Sequence, residues 1–120
     1  MANKSMLIIS RRAPGSGPSA REALDIALAG GAFDLPLAML FMDDGVFQLT
    51  PDQAPHHIQQ KDLSANLQAL PLFGIEDLFA CTYSLQERGL DASHLALPAQ
   101  PLDDEALRAL IARHDLVVTL

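Results

Sequence analysis

Cys81 is the single thiol of this 120-residue chain, and it stands in the stretch Leu78 to Gly89, LFACTYSLQERG. Leu78, Phe79 and Ala80 form the short apolar run a buried parallel strand uses, and Thr82 to Arg88 reads as a helical turn closed by Gly89. The thiol is thereby predicted at the carboxyl end of a strand and the amino end of a helix. In an open α/β sheet ligands and chemistry gather at that edge, and unpaired helix N–H groups favour a thiolate over a thiol. A second meaning stands beside the first: free cysteine is among the most buried residue types and behaves as a small hydrophobe. Charged neighbours pull both ways, since Arg11 and Arg12 at one strand exit would attract a thiolate and Asp43 and Asp44 at another would repel it.

Other residue types in the chain carry less. Gly15, Gly17 and Ala20 match G-x-G-x-x-A between a strand and a helix, with Asp43 or Asp44 near the distance of a ribose-binding acid. The turn is not tight, however, because Gly15 lies several residues past the strand's end. A lone fingerprint in a Gly/Pro loop is weak, and a flexible loop closed by Pro18 ahead of the helix cap is the favoured reading. His56 and His57 are adjacent with no third ligand at helical spacing, which favours solvated or capping groups over a metal site. No cofactor and no metal are expected.

The elements that must position Cys81 follow from periodicity. Ser5 to Ser10 is a first strand, with a turn-rich exit from Arg11 to Pro18. Ser19 and Glu22 have the spacing of a capping box, and Ala20, Leu24, Ala27 and Leu28 give the helix an apolar stripe that Gly30 and Gly31 should stop. Leu35 to Met42 is a second strand, apolar on both faces. Asp44 to Leu49 makes a short turn or helix presenting Val46, Phe47 and Leu49 as a lid or contact patch. Gln60 to Leu70 is helix-like, with Leu63, Leu67 and Leu70 on one stripe and Pro71 ending or kinking it. After the Cys81 corner, His94 to Leu97 reads as a fourth strand. Asp103, Asp104 and Glu105 load the start of a last helix, where acid suits the helix dipole. Leu107, Leu110 and Ile111 should face the sheet, and Leu116 to Leu120 forms a fifth strand. The order asks for one α/β domain over residues 1–120, with a parallel five-stranded sheet, helices on both faces and right-handed crossovers.

Composition excludes several function classes. Eight Lys and Arg against fifteen Asp and Glu give a net charge of −7, the wrong sign for gripping a phosphate backbone. Direct nucleic-acid binding is not expected. One cysteine leaves no internal disulfide and suits a reducing compartment. The apolar run Met6 to Ile9 is too short for a signal segment or a membrane span, so a cytoplasmic chain with no membrane contact is expected. An apolar fraction of 49% with 19% charged residues leans toward a subunit with surface to bury against partners.

Four stretches together resemble a known family. The loop after strand one, FMDDGVFQLTP from Phe41 to Pro51, IED before strand three, and Cys81 followed by SLQERGL are similar to the TusC-type, DsrF-like subunits of the DsrE/DsrF family. The resemblance covers nearly the whole chain. It implies a three-layer DsrE-like α/β fold and a heterohexamer with TusB-like and TusD-like subunits. It further implies a relay in which persulfide sulfur comes from TusA and passes through TusE toward 2-thiolation of the tRNA wobble uridine. In that family the persulfide-carrying cysteine belongs to the TusD-type subunit, and Cys81 falls at the matching place in a similar C-x-x-x-L-x-x-x-G helix. The resemblance thus implies a structural or assembly role, with Cys81 as the candidate catalytic residue if the chain carries sulfur itself. The partner-binding residues expected are Val46, Phe47, Leu49, Leu63 and Leu67. Two alternatives stay open: a DsrF-like role in oxidative sulfur metabolism, and a free-standing small-ligand α/β module.

Overall fold

The computed structural model describes residues 5–14, 16–33, 36–50 and 65–120. Five strands form one sheet, all parallel, in the order β4-β3-β2-β1-β5. They are β1 Met6–Ser10, β2 Leu37–Phe41, β3 Asp77–Cys81, β4 Gln100–Leu102 and β5 Leu116–Thr119. Among the described residues these helices accompany them: α1 Ser19–Ala32, α2 Thr82–Glu87 and α3 Asp104–Ala112. Strands one to four step across the sheet in one direction, so right-handed crossovers lay their connections on one face. The chain then crosses back to place β5 beside β1, and this reversal puts α3 on the other face.

Period-two alternation divides the core accordingly. Ile8, Met39, Phe41, Leu78 and Ala80 point to the α1 side, where Leu24, Ala27, Val46, Leu49, Leu67, Leu70 and Leu85 pack on them. Leu7, Ile9, Ala38, Leu40, Phe79 and Cys81 point the opposite way, under Leu107 and Leu110 of α3. Registers such as Ile8 opposite Met39 and Leu40 opposite Phe79 keep like-facing residues in line. A slip of one residue in any strand would exchange the two sets.

Several expectations need correction. The helix after the first loop has no capping box: Pro18 is the N-cap, the Glu22 amide bonds the Pro18 carbonyl at 2.9 Å, and no side chain caps the end. Proline's restricted φ starts the turn one residue earlier than the Ser19 pattern suggests. The helix also runs through Gly30 and Gly31 to Ala32. His94 to Leu97 is no strand. Asp91 accepts the Ser93 amide at 2.9 Å and starts a 3-10 turn, Ala92–His94, and the Ala96 amide then bonds the Leu49 carbonyl at 2.7 Å. The fourth strand comes later and includes Pro101, which is tolerated because β4 is an edge strand. Ile111 is exposed, so only Leu107 and Leu110 seat α3 on the sheet. Residues 65–68 are helical; Pro71 sits in the 3-10 turn Leu70–Phe73, which Gly74 closes in the left-handed region at φ 81°.

Candidate functional site

At the carboxyl edge of the sheet two turns stand side by side, one after β2 and one after β3. The first is the 3-10 segment Asp43–Leu49, DDGVFQL. It opens at Asp43, whose φ of 52° lies in the left-handed region that few non-glycine residues occupy. Two contacts hold it there. The Asp43 amide donates to Ser84 Oγ at 2.8 Å, and its carboxylate accepts from Arg11 Nε at 2.6 Å. Gly45 follows because the turn presses against the end of β1: a Cβ there would overlap the Ser10 carbonyl oxygen. Gln48, buried despite its polarity, donates from Nε2 to Ser10 Oγ at 2.7 Å and to the Arg12 carbonyl at 2.9 Å. Asp44 pairs with Arg88 Nε at 3.0 Å, and Arg88 Nη1 reaches the Ser84 carbonyl at 3.2 Å.

The second turn carries Cys81. It is the last residue of β3 and the N-cap of α2, with its Sγ accepting the Ser84 amide at 3.4 Å. The predicted strand-to-helix corner is therefore present. The residue is 4% exposed and lies with Leu7, Ile9, Phe79 and Leu110, with Met42 and Leu102 also packed against this group. Arg113 covers the neighbouring Phe79, its guanidinium 5.9 Å from the ring centroid. Of the charges named at the neighbouring strand exits, Arg11 pairs with Asp43, and Asp44 pairs with Arg88. The same ion pairs occupy both aspartates considered as ribose ligands.

Of the residues predicted to meet a partner, Val46, Leu49 and Leu67 have no exposed surface in this chain and belong to the α1-side core. That overturns the contact patch at these three positions, because an apolar run next to a tight turn fills the space between that turn and the sheet. Phe47 is half-buried. Leu63, His56, His57 and Gly15 lie outside the described residues. The large apolar side chains actually left outside are elsewhere: Phe33, Leu72 and Phe73 toward the amino edge of the sheet, Ile111, Leu116 and Val117 on α3 and β5, and Tyr83 on α2. Ser84 and Arg88, which tie the two turns together, and Gln48 and Ser10, which tie the first turn to the end of β1, were missed. The signal for one of them was available: Gln48 is a lone amide inside the apolar run VFQL, and a buried amide must find hydrogen-bond partners.

Among the described residues no group of three or more His, Cys, Asp or Glu is arranged to hold a metal ion. No helix among them is long and apolar enough to cross a membrane.

A sequence model of the DsrE/DsrF-like family matches residues 4–120. The chain belongs to the DsrE/DsrF-like family. Among curated relatives, the chain is 66% identical over 118 residues to the "Protein TusC homolog" of Pseudomonas aeruginosa, covering 98% of this chain and 99% of that one. It is 38% identical over 116 residues to "Protein TusC" of Escherichia coli, covering 96% and 98% of the two chains. In fold it matches the crystal structure of the YchN protein of Escherichia coli, with a TM-score of 0.76 over 98% of this chain and 99% of the other at 18% identity. The DsrE/DsrF-like assignment thus rests on sequence, and the YchN likeness adds the fold alone.

Proposed function

We propose that this chain is a TusC-like subunit of a sulfur relay and serves mainly to complete the assembly. The observation that carries the reading is the 66% identity to the Pseudomonas aeruginosa protein across nearly all of both chains. In this reading it joins TusB-like and TusD-like subunits in a cytoplasmic heterohexamer. The complex takes persulfide sulfur from a TusA-like donor and passes it through a TusE-like acceptor toward 2-thiouridine at the tRNA wobble position.

Chemistry at Cys81 supports the assembly role over a carrier role. Persulfide transfer breaks the donor's S–S bond as an acceptor thiolate attacks the outer sulfur, leaving the donor as a thiolate. The attacking sulfur must be reached by another protein's sulfur. A buried cysteine, 4% exposed as a residue and clustered with Leu107 and Leu110, does not offer that approach. The apolar side chains left outside, among them Phe33, Leu72, Leu116 and Val117, support a chain that works covered by partners. With a net charge of −7, contact with tRNA is left to other components.

Co-expression with TusB-like and TusD-like partners from the same genome tests the reading. The expected result is an intact complex containing all three chains, by native mass measurement, that keeps its sulfur-transfer activity when Cys81→Ser is introduced here. Purification of this chain alone as a stable monomer from the same co-expression would overturn the proposal.

A further inference from the structure

Where β1 and β5 lie side by side, the connections to them run on opposite faces of the sheet, α1 leaving β1 on one and α3 entering β5 on the other. In open α/β sheets a crevice opens outside the carboxyl ends of the strands at such a reversal, and ligands bind there. This chain has one at that place, of about 410 Å³, lined by Arg11, Arg12, Arg88, Asp43, Asp44 and Thr119 among others. It stands apart from the apolar cluster that surrounds Cys81.

Three arginines and two aspartates line it beside Thr119 and Leu120, in a chain whose charged side chains are mostly acidic. Donor accounting shows what is left over. A guanidinium offers five N–H donors in a planar fork. Arg11 commits Nε to Asp43, while Arg88 commits Nε to Asp44 and Nη1 to the Ser84 carbonyl. The Arg12 guanidinium makes no hydrogen bond or ion pair among the described residues, although its own carbonyl is fixed by Gln48 Nε2 at 2.9 Å. Leu120, also at the crevice, uses its carbonyl oxygen to accept the Arg11 amide at 3.0 Å and forms no ion pair with the arginines. Each aspartate already holds one guanidinium, so the two carboxylates position Arg11 and Arg88 without exhausting them.

We propose that this crevice binds a small tetrahedral oxyanion, free phosphate or sulfate or a small molecule that ends in such a group, with Arg12 as its principal ligand. A planar carboxylate presents two oxygens in one plane. Donors arriving from the exit of β1 and from the end of α2 are better met by an acceptor whose oxygens point in several directions. The inference does not depend on the relay reading.

The test titrates the full chain with inorganic phosphate, followed by phosphorus NMR line broadening and by the shift in thermal midpoint. Ionic strength is held constant with chloride so that general screening contributes nothing. Sulfate and acetate are run as comparators, and any purification tag is kept at the amino end. Saturable phosphate binding with sulfate competing and acetate not competing is expected. Arg12→Gln should weaken it about tenfold or more, the loss of a charge-assisted hydrogen bond, while Arg21→Gln on the exposed face of α1 leaves it unchanged. The midpoint of each variant without anion shows that it folds. Absence of saturable binding, equal competition by acetate, or equal weakening by Arg12→Gln and Arg21→Gln would overturn the proposal.

Discussion

The turns after β2 and β3 leave the same edge of the sheet from neighbouring strands, yet one is a polar lattice and the other an apolar burial. Around Asp43–Leu49 the polar side chains and the opening amide make hydrogen bonds and ion pairs that reach Ser10, Arg11, Arg12, Ser84 and Arg88, while Val46 and Leu49 pack into the α1-side core. Around Cys81 the neighbours are aliphatic and aromatic. Strand parity decides which is which. Phe41 and Ala80 are register partners that face α1, and Met42 and Cys81, one residue later, face α3. The segment after β2 thus holds the edge together, while the thiol after β3 is turned toward the opposite layer. Ser84 joins the two: its Oγ accepts from the Asp43 amide, and its own amide donates to Cys81 Sγ.

The contrast predicts a ranking of damage. Gly45→Ala should cost the most, about 3 kcal/mol, because its methyl group collides with main chain at Ser10 rather than with a flexible side-chain end. Urea unfolding measures it, and a loss under about 1 kcal/mol would mean that the turn can move away from β1. Ser84→Ala should come next at about 2 kcal/mol, since it strands the Asp43 amide and releases the left-handed residue. Cys81→Ala should cost about 1 kcal/mol, a small cavity under α3. If Cys81→Ala proved more damaging than Ser84→Ala, the polar turn would not be the stronger of the two. The thiol should also react with a disulfide reagent only slowly in the native chain and at the rate of a free thiol in denaturant.

The smallest effect lies beyond both turns, at Asp91. Hydrogen bonds from the Ser93 amide and hydroxyl, with smaller help from His94, hold its carboxyl below the ordinary carboxylate range. A lowered folded value contributes stability that is present above the unfolded value and lost as pH falls through the folded one. Carbon-13 NMR of the carboxyl should show Asp91 titrating below an unstructured aspartate. Asp91→Asn should flatten that part of the acid profile slightly, and an unchanged profile would assign the acid sensitivity to other carboxylates.

Strand positions and the Cys81 corner were legible because apolar runs with period two and a polar turn behind them leave few arrangements for β1, β2, β3 and β5. The fourth strand was not, because HLAL has the composition of a strand and only the Asp91 cap, a contact between side chain and backbone, turns it aside. The contact patch failed for a related reason. Val46, Leu49 and Leu67 have the types of an exposed sticky surface and of a core alike, and the choice is made by where Gly45 lets the turn sit. Pairing between Arg11 and Asp43 and between Arg88 and Asp44 joins residues 32 and 44 positions apart. Only the parallel register of the sheet brings such distant charges to one edge.

Sulfur loading separates a Cys81 that only packs within an assembly subunit from one that carries persulfide. The complex with TusB-like and TusD-like partners is mixed with a persulfidated TusA-type donor, and each chain is weighed intact after rapid alkylation. The expected result is added sulfur on the TusD-like chain and none on this one. One sulfur atom per chain on Cys81, formed as fast as on the TusD-like cysteine and abolished by Cys81→Ser, would contradict it and make this subunit a carrier.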